Sequence, residues 1–343
     1  MVRRPAYLAI GGAVALLAVV MAGLLGFAEL STTIASDAPL VVEVRQGETL
    51  RQFTRRLAEQ GALQRPRLVT MLGILRGDSA NIKAGEYVLQ GRVSPSELLD
   101  YLVSGQARFA ALTVPEGFNL EEIAERLEER ALGRGAVFLT LTHDPGFIAS
   151  LHLPIEPAPP SLEGFLYPDT YFFYRGASEA SLITAMVSEF RKRALEPLLQ
   201  QAGAVGMSPY QALILASIVE KETAVPGERE LIAAVFHNRL RARMRLGSDP
   251  TVIYGLQSFD GNLRRVDLLT ETPYNTYKIL GLPPTPIANP GRDSIRAVVA
   301  PAKVDYLYFV AKGDGTHVFS KDYRTHSRAV WKYQIRPHRK RNS

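Results

Sequence analysis

The chain has 343 residues, 46% of them hydrophobic and 22% charged, with a formal net charge of +6 and no cysteine. Such a length and balance describe an ordinary globular protein of about two domains, and the missing thiols exclude a disulfide framework, a cysteine nucleophile and any cysteine-based metal site. The basic charge favours an anionic partner surface without naming one.

Arg3 and Arg4 precede an uncharged run from Ala6 to Ala28. About 20 apolar residues span a bilayer as a helix, whereas the core of a secretory signal is shorter, about 7–15 residues. The run therefore reads as a retained membrane anchor rather than a cleaved signal. The arginines keep residues 1–5 cytoplasmic, and Glu29 and Asp37 follow on the other side. The expectation is a single-pass protein of the cytoplasmic (inner) membrane with the rest of its chain on the periplasmic or outer face. That placement argues against cytosolic metabolism and against nucleic acid as a partner.

Residues 29–40 form a polar linker. In residues 41–107 the pattern is strand, turn, helix, and then again. Val42 and Val44 alternate with polar residues, and after Gly47 a helical face carries Leu50, Phe53 and Leu57. A second strand passes through Tyr87 to Leu89, and Ser94 or Ser96 caps a helix with Leu98, Leu99 and Leu102. The VRQGETL pattern of this segment resembles a degenerate LysM domain, a family that binds the glycan of peptidoglycan. Residues 108–334 open with a third unit in which Leu120, Ile123 and Leu127 follow Gly117 at the same offsets. Residues 133–160 read as loops and short helices, and EPAPPSLEGFLYPDTYFF as a proline-rich stretch turning aromatic. Helices are then expected over SEASLITAMVSEFRKRALEPLL, SPYQALILASIVEKET and PGERELIAAVFHNRLRARM. Later TVIYGL, YLYFV and HVFS look like strands among Pro/Gly loops. Helices first and strands later indicate an α+β fold. Residues 335–343 are a basic tail, a solvated end rather than a contact with anionic wall or lipid.

Chemistry concentrates at ALILASIVEKETA. Ser208 can cap this helix and Pro209 suits its first turn. Ala212, Leu213, Leu215, Ala216 and Val219 surround the circumference, and a helix that is apolar all round is buried. Glu220 then stands on the last turn of a buried helix. Desolvation and the negative end of the helix dipole both oppose ionisation of a carboxyl so placed, and a carboxyl that keeps its proton near neutral pH can act as a general acid. The competing reading pairs Glu220 with Lys221 or Arg229 at a wet helix end. Glu222 is a rival acid, turned about 200° away around the helix, so only one of the two is expected to share the apolar surroundings.

Loop clusters rich in tyrosine, amide and carboxylate suit sugars, whose faces stack on rings and whose hydroxyls bond amides and acids. Glu163 and Asp169 with Tyr167 and Tyr171, Asp249 in a Ser-Asp-Pro turn, and Asn275 and Tyr277 with Tyr274 form three such clusters. Each alone reads more readily as a capped turn or a half-buried tyrosine than as a sugar contact. No HExxH, P-loop, GxSxG or GxGxxG motif stands out, and the six histidines are scattered without metal-ligand spacing. No metal or cofactor is expected. His237, inside an apolar helix, reads as a hydrogen-bonded packing residue.

The strings LASIVEKETAVPGERELIAAVFHNRLRARMRLGSDPTVIYGL, TPYNTYKILGLPPTPIANPG and PAKVDYLYFVAKGDGTHVFS, with EGFLYPDTY, resemble the YceG-like family of membrane-bound endolytic murein transglycosylases over residues 110–330. The resemblance implies that Glu220 is the catalytic acid and then the base. It implies cleavage between N-acetylmuramic acid and N-acetylglucosamine without water, the muramoyl C6 hydroxyl closing on its own ring to leave a 1,6-anhydro end. An internal nucleophile explains why one carboxylate could suffice where hydrolases usually position two. The expected partners are nascent peptidoglycan strands, whose length the cutting would limit, and peptidoglycan synthases. Glu163, Asp169, Asp249, Asn275 and Tyr277 become candidates for binding sugar or orienting Glu220. The alternatives are a hydrolytic muramidase, with Asp249 or Glu163 as second acid, and a non-catalytic wall-binding scaffold.

Overall fold

The computed structural model describes Gly23 and residues 33–105, 109–174, 178–223 and 225–336. The expected anchor over 6–28 lies outside the described residues, Gly23 apart, as does the basic tail from 337. No single helix among the described residues is long and apolar enough to cross a membrane. The architecture is α+β: helices joined by three two-stranded sheets. The chain divides into two compact units, Met1–Ala111 with Phe172–Ala177, and Leu112–Tyr171 with Ser178–Ser343.

The first unit runs β1 (Ile34–Val44), α1 (Leu50–Glu59), α2 (Pro66–Leu75), β2 (Gly85–Val93), α3 (Pro95–Ser104). β1 and β2 pair antiparallel, with Val42 opposite Tyr87 and Leu40 opposite Leu89. Val42, Val44, Tyr87 and Leu89 are buried, while Val41 and Val88 are exposed, the alternation that a sheet with one covered face requires. Capping boxes start both α1 and α3: Thr49 with Gln52, and Ser94 with Glu97. The helices close the core with Leu50, Phe53, Leu57, Leu98, Leu99 and Leu102. The strand–helix repeats expected over 41–107 are all present.

β3 (Phe109–Thr113) and β4 (Thr170–Tyr174) pair as a short ribbon through which the chain passes from one unit to the other. The second unit holds α4 (Leu120–Glu129), α5 (Gly135–His143), α6 (Pro145–Ser150), α7 (Glu179–Phe190), α8 (Glu196–Gln201), α9 (Pro209–Glu222), α10 (Arg229–Arg241), α11 (Asp249–Gly255), α12 (Arg265–Leu269), α13 (Arg292–Val299), β5 (Tyr308–Ala311), β6 (His317–Ser320) and α14 (Tyr323–Val330). A π-helical turn, Arg191–Leu195, joins α7 to α8. Pro197 stands just inside α8, and its missing N–H breaks the regular bonding of the turn before it.

At the centre of this unit is α9. Ser208 caps it with a box to Gln211, Pro209 occupies its first turn, and every residue from Ala212 to Val219 is buried. Each fully buried Leu or Ile contributes about 1.5–3 kcal/mol, so the interior is organised around this helix. α10 and α13 pack against it. Phe165 stacks on Tyr210 with centroids 6.1 Å apart and meets Phe190 edge-on at 5.3 Å, fastening the loop before β4 to α7 and to the start of α9.

One predicted strand is a helix. TVIYGL forms most of α11. Its β-branched residues suit a strand, but Pro250 opens the helix and the Thr251 hydroxyl donates back to the Ser248 carbonyl at 2.7 Å. With Thr251 and Val252 buried, tertiary packing overrides the local preference. β5 and β6 are where YLYFV and HVFS were expected, paired antiparallel as a hairpin with Phe309 opposite Phe319.

Candidate active site

The last turn of α9 presents two carboxylates to two faces. Glu220 points to the loop after Asn289. Gly291 N–H donates to its Oε2 at 2.8 Å, and Arg229 Nη2 stands 3.6 Å from its Oε1. The Glu220 side chain is 5% exposed. Arg229 also donates from Nε to Ser294 Oγ at 3.2 Å and lies 3.8 Å from Glu116 Oε2. Glu116 is pressed against Gly291, where any Cβ would collide with its carboxylate. Burial, and then the nearby Glu220, push the Glu116 carboxyl above the usual range. The pairing with Arg229 that the sequence offered is present, yet in a dry setting rather than at a wet helix end.

Glu222 faces the other way, into a cavity of about 910 Å³ lined also by Arg239, Asp249, Tyr277, Tyr308 and His317. Ser248 Oγ donates to Glu222 Oε1 at 2.5 Å. Burial pushes the Glu222 carboxyl up to about 7; the Ser248 hydrogen bond opposes that rise, Asp249 adds to it and Arg239 opposes it. Ser248 itself is buried, its N–H donating to Thr276 Oγ1 at 2.9 Å, so the hydroxyl that meets the acid is rigidly placed. Tyr277 OH donates to Asp249 Oδ1 at 2.7 Å. Arg239 is clamped by its donations to the carbonyls of Leu307, at 2.7 Å, and Leu246, and stands 5.6 Å over the Tyr308 ring. The cavity thus joins an acid that titrates near neutrality to aromatic faces and fixed polar groups, the composition of a sugar-binding cleft. Contrary to the sequence expectation, both glutamates are withdrawn from water, because the chain wraps both sides of the helix end, with 289–294 on one and 244–249 on the other.

The candidate residues separate accordingly. Asp249 and Tyr277 line the cavity with Glu222. Asn275 is fully buried; its Nδ2 donates to the carbonyls of Leu268 and Thr270, and its Oδ1 accepts from Tyr277 N–H at 3.0 Å. It shapes the turn that presents Tyr277 and cannot reach a sugar. Glu163, 1% exposed, accepts from Leu120 N–H, Tyr254 OH and Asn289 Nδ2, and burial raises its carboxyl to about 8. It is an internal strut between the LEGFLYPDTY loop, α4 and α11. Asp169 pairs with Arg193 at 3.2 Å and caps Thr170 N–H, outside the cavity lining. His237 is the packing residue expected, its Nε2 2.8 Å from the Val298 carbonyl.

Sequence reasoning missed Ser248, Glu116 and His317. The Ser-Asp-Pro string pointed to Asp249 while the serine before it carries the contact to the acid, and a helix-start reading of that string would have found it. Nothing local marks Glu116 or His317, which acquire their surroundings from residues some 90 or more positions away. Among the described residues no three His, Asp or Glu side chains converge as a metal site requires.

The profile of the YceG-like family matches residues 42–332. A Bacillus subtilis protein named endolytic murein transglycosylase is 33% identical over 267 residues, 74% of each chain. A Streptococcus pneumoniae protein of the same name is 29% identical over 319 residues, 85% of this chain and 58% of its own length. The crystal structure of a yceG-like protein from Listeria monocytogenes superposes with a TM-score of 0.58 at 32% identity, covering 85% of this chain and 99% of that one.

Proposed function

The chain belongs to the YceG-like family, and on that premise we propose that it is an endolytic lytic transglycosylase of peptidoglycan, with the cavity beside α9 as its glycan cleft and Glu222 as its acid. The observation that carries the reading is the Glu222 carboxyl, pushed up to about 7 on the wall of that cavity. Protonated, it delivers its proton to the glycosidic oxygen between N-acetylmuramic acid and N-acetylglucosamine. The C6 hydroxyl of the muramoyl ring closes on C1, and the strand ends in a 1,6-anhydro sugar. Tyr277 offers a stacking face, and Asp249 and Arg239 offer hydroxyl and carbonyl partners.

A second reading keeps the acid at Glu220, supported by its nearly complete withdrawal from water. Against it stand the Arg229 guanidinium and Gly291 N–H, the company of a structural carboxylate, and its position on the face turned from the cavity. Under the first reading Glu220 braces the site by tying α9 to Arg229 and Gly291. Isolated cell-wall sacculi digested with the purified protein decide between them. Mass spectrometry should find products one water lighter than those of a hydrolase. Glu222→Gln should lower the rate by about 10²–10⁴-fold. A Glu222→Gln protein that cuts normally while Glu220→Gln is inert would return the role to Glu220, and reducing ends throughout would indicate a muramidase.

Residues 6–28 act as a membrane anchor, holding the enzyme at the outer face of the cytoplasmic membrane where new strands emerge beside their synthases. Residues 41–107, in the first unit, are a LysM-like wall-binding module; the β–α–α–β order of that unit supports this reading, and residues 108–334 are the catalytic domain. Replacing residues 1–28 by a cleavable signal should leave sacculus digestion intact while changing strand length in cells.

A further inference from the structure

The cavity that Glu222 lines holds a second group with acid–base chemistry, His317 at the start of β6. Its Nδ1 lies 2.6 Å from Glu228 Oε2, and its main-chain N–H donates to Glu228 Oε1 at 2.9 Å. One carboxylate therefore grips the residue twice. Both side chains are largely withdrawn from water, at 11% and 12% exposure. A carboxylate only accepts, so the Nδ1 of this pair carries the proton, and in the neutral ring Nε2 holds a free lone pair. Among the described residues no hydrogen bond engages Nε2. Phe309 meets the imidazole edge-on at 5.5 Å and 84°, which restrains the ring plane. Glu228 is itself held: it ends the turn Pro226–Glu228 directly before Arg229, the residue braced by Glu220 and Ser294. A carboxylate that orients an imidazole whose other nitrogen is free is the arrangement of a general base.

The following step rests on the transglycosylase reading above. We propose that His317, oriented by Glu228, is the base that takes the proton of the muramoyl C6 hydroxyl as this oxygen closes on C1. The C1–O4 bond breaks with its electron pair going to O4, which takes the proton of Glu222. The O6–C1 bond forms, and the O6 proton passes to Nε2, leaving an imidazolium beside the Glu228 carboxylate. Product departure lets solvent carry that proton away and reprotonate Glu222, so no other reactant is consumed. Two groups thus divide the two proton transfers, Glu222 giving the first proton and His317 taking the second.

His317→Asn tests this. Its amide can still donate to Glu228 from near the Nδ1 position, so the hairpin keeps its fastening, but it has no second ring nitrogen. The full chain in detergent, digesting sacculi, should unfold at the unaltered temperature and cut about 10²-fold more slowly, with some surviving product carrying reducing ends because water replaces the undeprotonated hydroxyl. Added imidazole should restore part of the rate to His317→Gly. A His317→Asn protein that cuts at the full rate with anhydro ends only, or a His317→Gly protein that imidazole does not restore, would overturn the assignment. Failure of the unaltered protein to yield anhydro ends would instead overturn the transglycosylase reading, so the two failures are separate.

Discussion

Ser248 donates to Glu222 at 2.5 Å, and this bond favours the carboxylate form of an acid that burial, even against the bond, raises to about 7. Ser248→Ala removes the donor and leaves the burial, so the acid should keep its proton to higher pH. A hydrogen bond to a charged group contributes about 1.5–3 kcal/mol, and about 1.4 kcal/mol corresponds to one pH unit. Water entering the space of the lost hydroxyl offsets part of that, leaving a displacement of about one unit. The assay is the rate of anhydro-end formation from sacculi as a function of pH, each variant scaled to its own plateau. The unaltered enzyme should lose activity on an alkaline limb centred near pH 7, because a general acid works only while protonated. In Ser248→Ala that limb should move to about pH 8, so that at pH 8 the variant keeps about half its plateau and the parent about a tenth. Asp249→Asn should move it the other way and by less, since Asp249 raises the Glu222 value from an exposed position. A limb that stays in place in Ser248→Ala, or moves down, would refute Glu222 as the titrating acid.

Glu163 is buried with its carboxyl raised to about 8, so its contribution to stability is present below its unfolded value and is lost as pH rises through 8; chemical denaturation should show stability declining across that window, and less so in Glu163→Gln. Gly164, at φ +87°, leaves no room for a Cβ, which would sit 2.7 Å from Pro286 Cγ, so Gly164→Ala should cost about 1–3 kcal/mol in a urea titration. Phe165→Ala removes the ring shared by Phe190 and Tyr210 and should cost about 3–5 kcal/mol in the same measurement.

Much of this is legible in the sequence. The start of α9 at Ser208 and Pro209, its burial, and the strand–helix repeats of the first unit follow from caps and periodicity, which are local. The sequence favours Glu220 as the acid with Glu222 as its rival on the same turn, but choosing between them depends on what packs on each side of the helix end, and those neighbours come from segments some 26–71 positions away. The same holds for Asn275 and Glu163. Their residue types suit sugar hydroxyls and backbone amides equally well, and only burial reveals that backbone and tyrosine have claimed them. TVIYGL failed as a strand because Pro250 and the Thr251 back-bond outweigh a preference that measures fit to a pleated surface.

The cavity's outer wall comes from the final stretch, Tyr308 to Gln334, whereas the helices that bury α9 are complete once α13 ends at Val299. Domains fold as units, with earlier segments able to organise first during synthesis. A growing chain can therefore surround α9 while the groove is still unwalled, and the competence to sever a polymer waits for residues 308–334. A product still lacking this stretch has neither the Tyr308 face nor His317 beside Glu222, a built-in delay for a tool whose work is to break the cell's own casing.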